Sequence, residues 1–231
     1  MVVIPHDGYP FGSRDSWRYS AEVQFLANRG YAVFQPNYRG SSGFGKAFYS
    51  AGFKEIGGKI QQDITDGVNW LIDKKIANPQ KIAIFGRGFG GFAALYGVSF
   101  HPKLYKCAIT QYGIINVLAF IKDTDPFFKP SVQRMYEMIG NPETDANQLI
   151  AISPVFHPEK IKVPLLIFQG GRDPRANISE LDHFVSELQK RKVPVTYRFK
   201  KNERQAFRNN MRVEMYTEIE NFLNTNMQVK N

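Results

Sequence analysis

Ile82-Ala83-Ile84-Phe85 is a four-residue apolar run stopped by Gly86, and a second apolar run, Phe92-Ala93-Ala94-Leu95, follows Gly88, Gly90 and Gly91. The first run reads as a buried strand and the second as a helix. Between them the chain turns within a few residues, a corner tight enough to need several glycines. Two mechanisms use such a corner. In a nucleophile elbow, G-x-S-x-G, the central serine is held above the sheet at the start of a helix. In a dinucleotide-binding turn, G-x-G-x-x-G lets a pyrophosphate approach the backbone. Gly86, Gly88 and Gly91 satisfy the second pattern. The first fits only if Gly88 stands where a serine is expected.

The rest of the chain predicts what this corner sits in. Strands are expected at residues 2–4, 31–34, 107–110, 163–168 and 195–199, besides the one ending at the corner. Helices are expected at residues 17–29 and 62–74, the second showing Ile64, Val68, Leu71 and Ile72 at helical spacing. A further helix carries Ile178, Leu181, Val185 and Leu188 behind a capping-box pair, Asn177 and Glu180. The last helix shows Val213, Tyr216, Ile219, Phe222 and Leu223 at helical intervals. Strands alternating with helices indicate a parallel sheet covered on both faces. The less regular stretch of about 114–152 holds Pro126, Pro130 and a short helix with Met135, Tyr136 and Ile139. It is read as a lid-like insertion within a single domain spanning residues 1–231.

Composition narrows the function classes. With 43% hydrophobic residues, 14% aromatics and 231 residues in all, the chain can bury a sizeable core. The net charge of +9 is spread without a long basic block, and no nucleic-acid module is recognisable, so a nucleic-acid partner is not expected. No apolar stretch of about twenty residues is present, so no membrane span is expected. The single cysteine, Cys107, excludes an intrachain disulfide and a cysteine zinc site, and no cofactor is expected. A cytoplasmic location follows as an expectation.

The dinucleotide reading requires the glycine turn on the first strand and an acidic residue about twenty positions later. Here two strand-helix units come first, and Gly90 to Lys122 contains no Asp or Glu. Several other segments favour the elbow. His6-Asp7-Gly8-Tyr9-Pro10 with Arg14-Asp15-Ser16-Trp17, Asn37-Tyr38-Arg39-Gly40-Ser41-Ser42-Gly43-Phe44-Gly45, Gln61-Gln62-Asp63 and Gln169-Gly170-Gly171-Arg172-Asp173-Pro174-Arg175-Ala176 occur in that order. Together they resemble the catalytic domain of the prolyl oligopeptidase family, which has H-G-G-P then R-D-S-W, N-x-R-G-S-x-G-x-G, Q-D-D and Q-G-x-x-D-P-R-V. The likeness implies an α/β-hydrolase fold lacking its usual first two strands. It also implies a sheet edge that another chain or a covering domain occupies, in a family whose members often carry an upstream β-propeller.

The resemblance further implies a Ser-Asp-His triad. A neutral hydroxyl needs a histidine to take its proton, a carboxylate to orient that histidine, and N–H donors to meet the oxyanion. Carried onto this sequence, the nucleophile position falls on Gly88, the acid on Asp173 and the base on Gln205, where the family's E-G-H-G-F corresponds to Glu203-Arg204-Gln205-Ala206-Phe207. Glycine has no side chain, and a glutamine amide cannot shuttle a proton near neutrality. The oxyanion donors map to the backbone of Phe89 and Gly8, with Arg87 and Arg204 as cleft charges. Of the other candidates, His6 and Ser41 read as structural and turn residues, His101, His157 and His183 lie away from the base loop, and Cys107 sits mid-strand. The leading expectation is a silent hydrolase homologue that binds a peptide or a small acyl or anionic ligand. A residual peptidase or esterase with a non-standard nucleophile, and a dinucleotide binder, are the alternatives.

Overall fold

A computed structural model describes residues 1–123, 129–205, 207 and 210–227. Six strands form one parallel sheet: β1 (Val2–Val3), β2 (Val33–Phe34), β3 (Ala83–Arg87), β4 (Cys107–Gln111), β5 (Leu165–Gly170) and β6 (Val195–Lys200), in the order β2-β1-β3-β4-β5-β6. Strands β3, β4 and β5 are buried along nearly their whole length, and they read as near-continuous apolar runs because helices cover both their faces. Strand alternation sorts their side chains. Ile84, Ala108, Leu165 and Ile167 join one core cluster, while Ala83, Phe85, Cys107, Ile109, Leu166 and Phe168 join the other.

The first face is covered by α3 (Lys59–Asp73), α4 (Phe89–Phe100) and α8 (Ile178–Lys190), through residues such as Ile64, Val68, Phe92, Leu95, Phe184 and Leu188. The second is covered by α1 (Ala21–Asn28) and α9 (Asn210–Met227), through Leu26, Met215, Ile219 and Leu223. Helix α2 (Lys46–Ser50) follows the glycine-serine loop, and α5 (Val117–Lys122), α6 (Lys129–Met138) and α7 (Ala146–Ala151) lie between β4 and β5. Helix α6 contains Met135 and Tyr136, with Ile139 just beyond its end; Pro126, expected in the same insertion, lies outside the described residues.

Several expected boundaries shift for identifiable reasons. The first helix begins at Ala21 because the Ser20 hydroxyl caps it, accepting from Val23 N at 3.4 Å; Trp17, expected inside it, is fully exposed. Strands β1 and β2 are two residues each, shorter than their apolar runs. In α9, Val213 faces solvent at 68% exposure, and the buried face runs through Met215, Ile219, Leu223 and Met227 instead. Asn177 caps α8 as the sequence suggests, its side chain accepting from Glu180 N at 3.1 Å. The loop after β2 is tied to α3 by Arg39, which donates to Asp63 through Nε at 2.8 Å and through its terminal nitrogen at 2.5 Å, while the Arg39 backbone N–H adds a third bond at 2.8 Å. Two of the segments that carry the family likeness therefore meet in one bidentate contact. Among the described residues no helix is long and apolar enough to cross a membrane.

Candidate functional site

Gly88 is the single residue between β3 and α4, with φ +50° and ψ −115°. That conformation is rare for residues with a Cβ, and it holds the corner above the carboxyl end of the sheet. Its N–H donates to Gln111 O at 3.1 Å, and its carbonyl accepts the first helical bond from Phe92 N at 3.0 Å. The neighbouring glycines serve packing. A Cβ on Gly86 would strike the Gly90 carbonyl, one on Gly90 would strike the Pro5 carbonyl, and one on Gly91 would lie 2.7 Å from Gly113 Cα. Backbone packing accounts for these three glycines, and Gly88, the middle glycine of the G-x-G-x-x-G match, faces the Asp7 carboxylate, an anion where the dinucleotide alternative needs room for a pyrophosphate.

The two expected oxyanion donors do converge. Gly8 N donates to Asp7 Oδ1 at 2.7 Å and Phe89 N donates to the same oxygen at 2.8 Å. The expectation of open donors is thus corrected, because an internal carboxylate occupies the point where they meet. A Cβ on Gly88 would lie 2.5 Å from Asp7 Oδ2 and 2.6 Å from Cγ. The loop is anchored from below by His6, whose ring stacks on Tyr38 at 4.3 Å and whose Nε2 lies 2.7 Å from Ser41 Oγ. Burial pushes the His6 pKa below its usual 6.5. This His-Ser pair superficially suggests a nucleophile and its base, but Ser41 is 0% exposed and no substrate can reach it.

Asp173 follows β5 and is buried at 5% exposure. Its Oδ1 accepts from Arg175 N at 3.1 Å and from Gln205 Nε2 at 3.3 Å, with the Arg175 guanidinium 3.5 Å away. The positions mapped as acid and base are therefore adjacent, and the side chain at the position mapped as base is an amide. The Gln205 carbonyl accepts from Gln111 Nε2 at 3.1 Å, and Gln111 Oε1 accepts from Arg87 Nε at 2.9 Å. Ala206 lies outside the described residues.

The arginines depart from expectation. Arg87 is no free cleft charge: it pairs with Glu22 of α1, and burial pushes the Glu22 carboxyl up while Arg87 pulls it down. Arg204 is exposed, and it is its carbonyl, packed against Gly170, that the fold uses. The Cys107 thiol is pushed up to about 12 by burial, which leaves it inert. Beside Asp173 lies a cavity of about 130 Å³, walled by Ile114, Ala119, Phe120, Arg175, Glu180 and Leu181. Glu180 is held there by Asn116 Nδ2 at 2.7 Å.

Sequence reasoning missed the part played by Asp7 and the cleft position of Tyr112. The signal for Asp7 was an acidic residue immediately before the donor glycine, in the same chain that lacks a side chain at position 88. Tyr112 takes φ +43°, uncommon for a residue with a Cβ, and lies beneath the Arg175 guanidinium at 5.5 Å. Nothing in its local sequence marks it.

The pattern of the prolyl oligopeptidase family matches residues 17–230. Dipeptidyl aminopeptidase BIII of Pseudoxanthomonas mexicana is 38% identical over 199 residues, covering 85% of this chain and 29% of that protein. Dipeptidyl peptidase family member 6 of Caenorhabditis elegans is 34% identical over 227 residues, covering 96% and 30%. A puromycin-hydrolysing peptidase of Mycobacterium tuberculosis superposes with a TM-score of 0.90 at 26% identity, over 98% of this chain and 34% of that one. The chain spans about a third or less of the length of these relatives. It belongs to the prolyl oligopeptidase family and is a serine peptidase homologue with the α/β-hydrolase fold.

Proposed function

We propose that this prolyl oligopeptidase-family domain is catalytically silent and keeps its cleft for binding a peptide or a small acyl ligand. The observation that carries the reading is that the side chain against Asp173 is the Gln205 amide, 3.3 Å away, where hydrolysis needs an imidazole. An amide can orient a carboxylate, but it cannot accept a proton from a hydroxyl and return it to a leaving group. Gly88 supplies no hydroxyl, and the pairs that could substitute for it are closed off. Ser41 is sealed in the core, and the Cys107 thiol is buried and protonated.

What remains is a concave, largely apolar pocket beside Asp173, rimmed by Arg175 and Glu180. Such a pocket takes an apolar side chain or acyl group and orients its polar end through the rim. Relatives named as dipeptidyl aminopeptidase and dipeptidyl peptidase make the peptide the first ligand class to examine. The test pairs turnover of peptide p-nitroanilides and esters with labelling by a fluorophosphonate. The expected result is turnover at the no-protein background and no covalent adduct by mass spectrometry. Turnover abolished by a single cleft substitution, or an adduct mapped to a cleft residue, would overturn silence.

A further inference from the structure

The position of Asp7 adds something that the lost side chains at 88 and 205 do not explain. We propose that Asp7 is a tethered anion occupying the oxyanion hole, so that the hole is closed to external oxyanions and position 88 is closed to any side chain. The inference rests on reading the Gly88 corner as the family's nucleophile elbow.

Three observations converge on it. One carboxylate oxygen accepts both N–H groups that would meet an oxyanion, at 2.7 and 2.8 Å. Those lengths suit charge-assisted bonds, which are stronger than neutral ones. Helix α4 has no side-chain cap of its own at Gly88, so the carboxylate also supplies the negative group that a helix N-terminus favours. Finally, a Cβ on residue 88 would strike Asp7 Oδ1, with Oδ2 2.5 Å and Cγ 2.6 Å away. The carboxylate and a side chain at 88 exclude each other, so the glycine at 88 and the aspartate at 7 form one unit. Replacing Gly88 alone leaves the hole filled or forces the loop apart.

The loop is held in register for this role. Tyr38 OH donates to the His6 carbonyl at 2.8 Å, and the His6 ring nitrogens contact Ser41 Oγ and the Asp7 carbonyl. Gly8 carries φ +98°, a left-handed value that turns the chain away just after its N–H has met the Asp7 side chain.

The experiment follows the Gly8 and Phe89 amide resonances while acetate, the detached equivalent of the Asp7 side chain, is added to the wild-type protein and to Asp7→Gly. The expected result is saturable movement of both amides in Asp7→Gly and none in the wild type over the same concentrations. Equal responses in the two proteins, or no response in Asp7→Gly, would overturn the proposal. If Asp7→Gly does not fold, Asp7→Ala is read in its place with the same two outcomes, and saturable movement of either amide in the wild type by itself overturns the proposal. Neither readout depends on turnover, so hydrolysis detected in the wild type would sink the silent reading without touching this one.

Discussion

The two sides of the cleft are built differently. On one side, the β3–α4 corner is backbone packed on backbone: Gly86 against Gly90, Gly90 against Pro5, Gly91 against Gly113. On the other, Asp173 and Gln205 meet through a single 3.3 Å side-chain bond between loops, flanked by the exposed Arg204. Backbone packing at the corner uses no side chain at position 88, so it is indifferent to which residue stands there as long as no Cβ is added. The other side depends on which side chain faces Asp173, and on the proposed reading an amide there keeps the placement of a base without its proton chemistry.

The strongest way to break the contrast is Gly90→Ala. Its Cβ would enter the Pro5 carbonyl, a rigid backbone atom at the foot of the Asp7 loop. Destabilisation of about 4 kcal/mol or more is expected in chemical denaturation, because neither the helix nor the loop can yield cheaply. A loss below about 1 kcal/mol would mean the corner is far more compliant than its contacts imply.

A middle-sized effect comes from His6, beneath that loop. Burial holds its folded pKa below the unfolded 6.5, so the unfolded chain takes up a proton first as the pH falls. The stabilisation is complete above 6.5 and is lost progressively below it, down to the folded value. Compared with His6→Gln, the wild type is expected to lose more stability as the pH falls below 6.5, seen in denaturation midpoints measured across that range. Parallel stability curves for the two proteins would remove the buried neutral histidine from the account.

The smallest effect belongs to the other side. Gln205→Ala removes one long bond from a half-buried side chain, and a loss under about 1 kcal/mol is expected from urea unfolding. A loss as large as that of Gly90→Ala would erase the distinction between the two halves.

Much of this was legible in the chain. Apolar runs located β3, β4 and β5, with glycine marking the ends of β3 and β5, because strands covered on both faces carry apolar residues without a break. The Asn177 cap of α8 was also visible, since a cap is a local hydrogen bond whose partners lie three residues apart. The ends of β1 and β2 and the solvent-facing Val213 were not, because those depend on what packs alongside. The order of the family's segments maps a nucleophile position to Gly88 and a base position to Gln205, and the fold sets Gln205 against Asp173, although Arg87 was misjudged: its partner Glu22 lies 65 residues away in the chain.

Residue identity alone decided which chemistry is available at each position: no oxygen at 88, no imidazole at 205, a carboxylate at 173. Where a carboxylate from the first loop comes to rest was settled only by folding. Asp7 and Phe89 are 82 residues apart, and nothing local distinguishes an aspartate facing water from one seated between two amides. That difference arises because the sheet brings the ends of β1 and β3 side by side, and such adjacency is a property of the assembled fold.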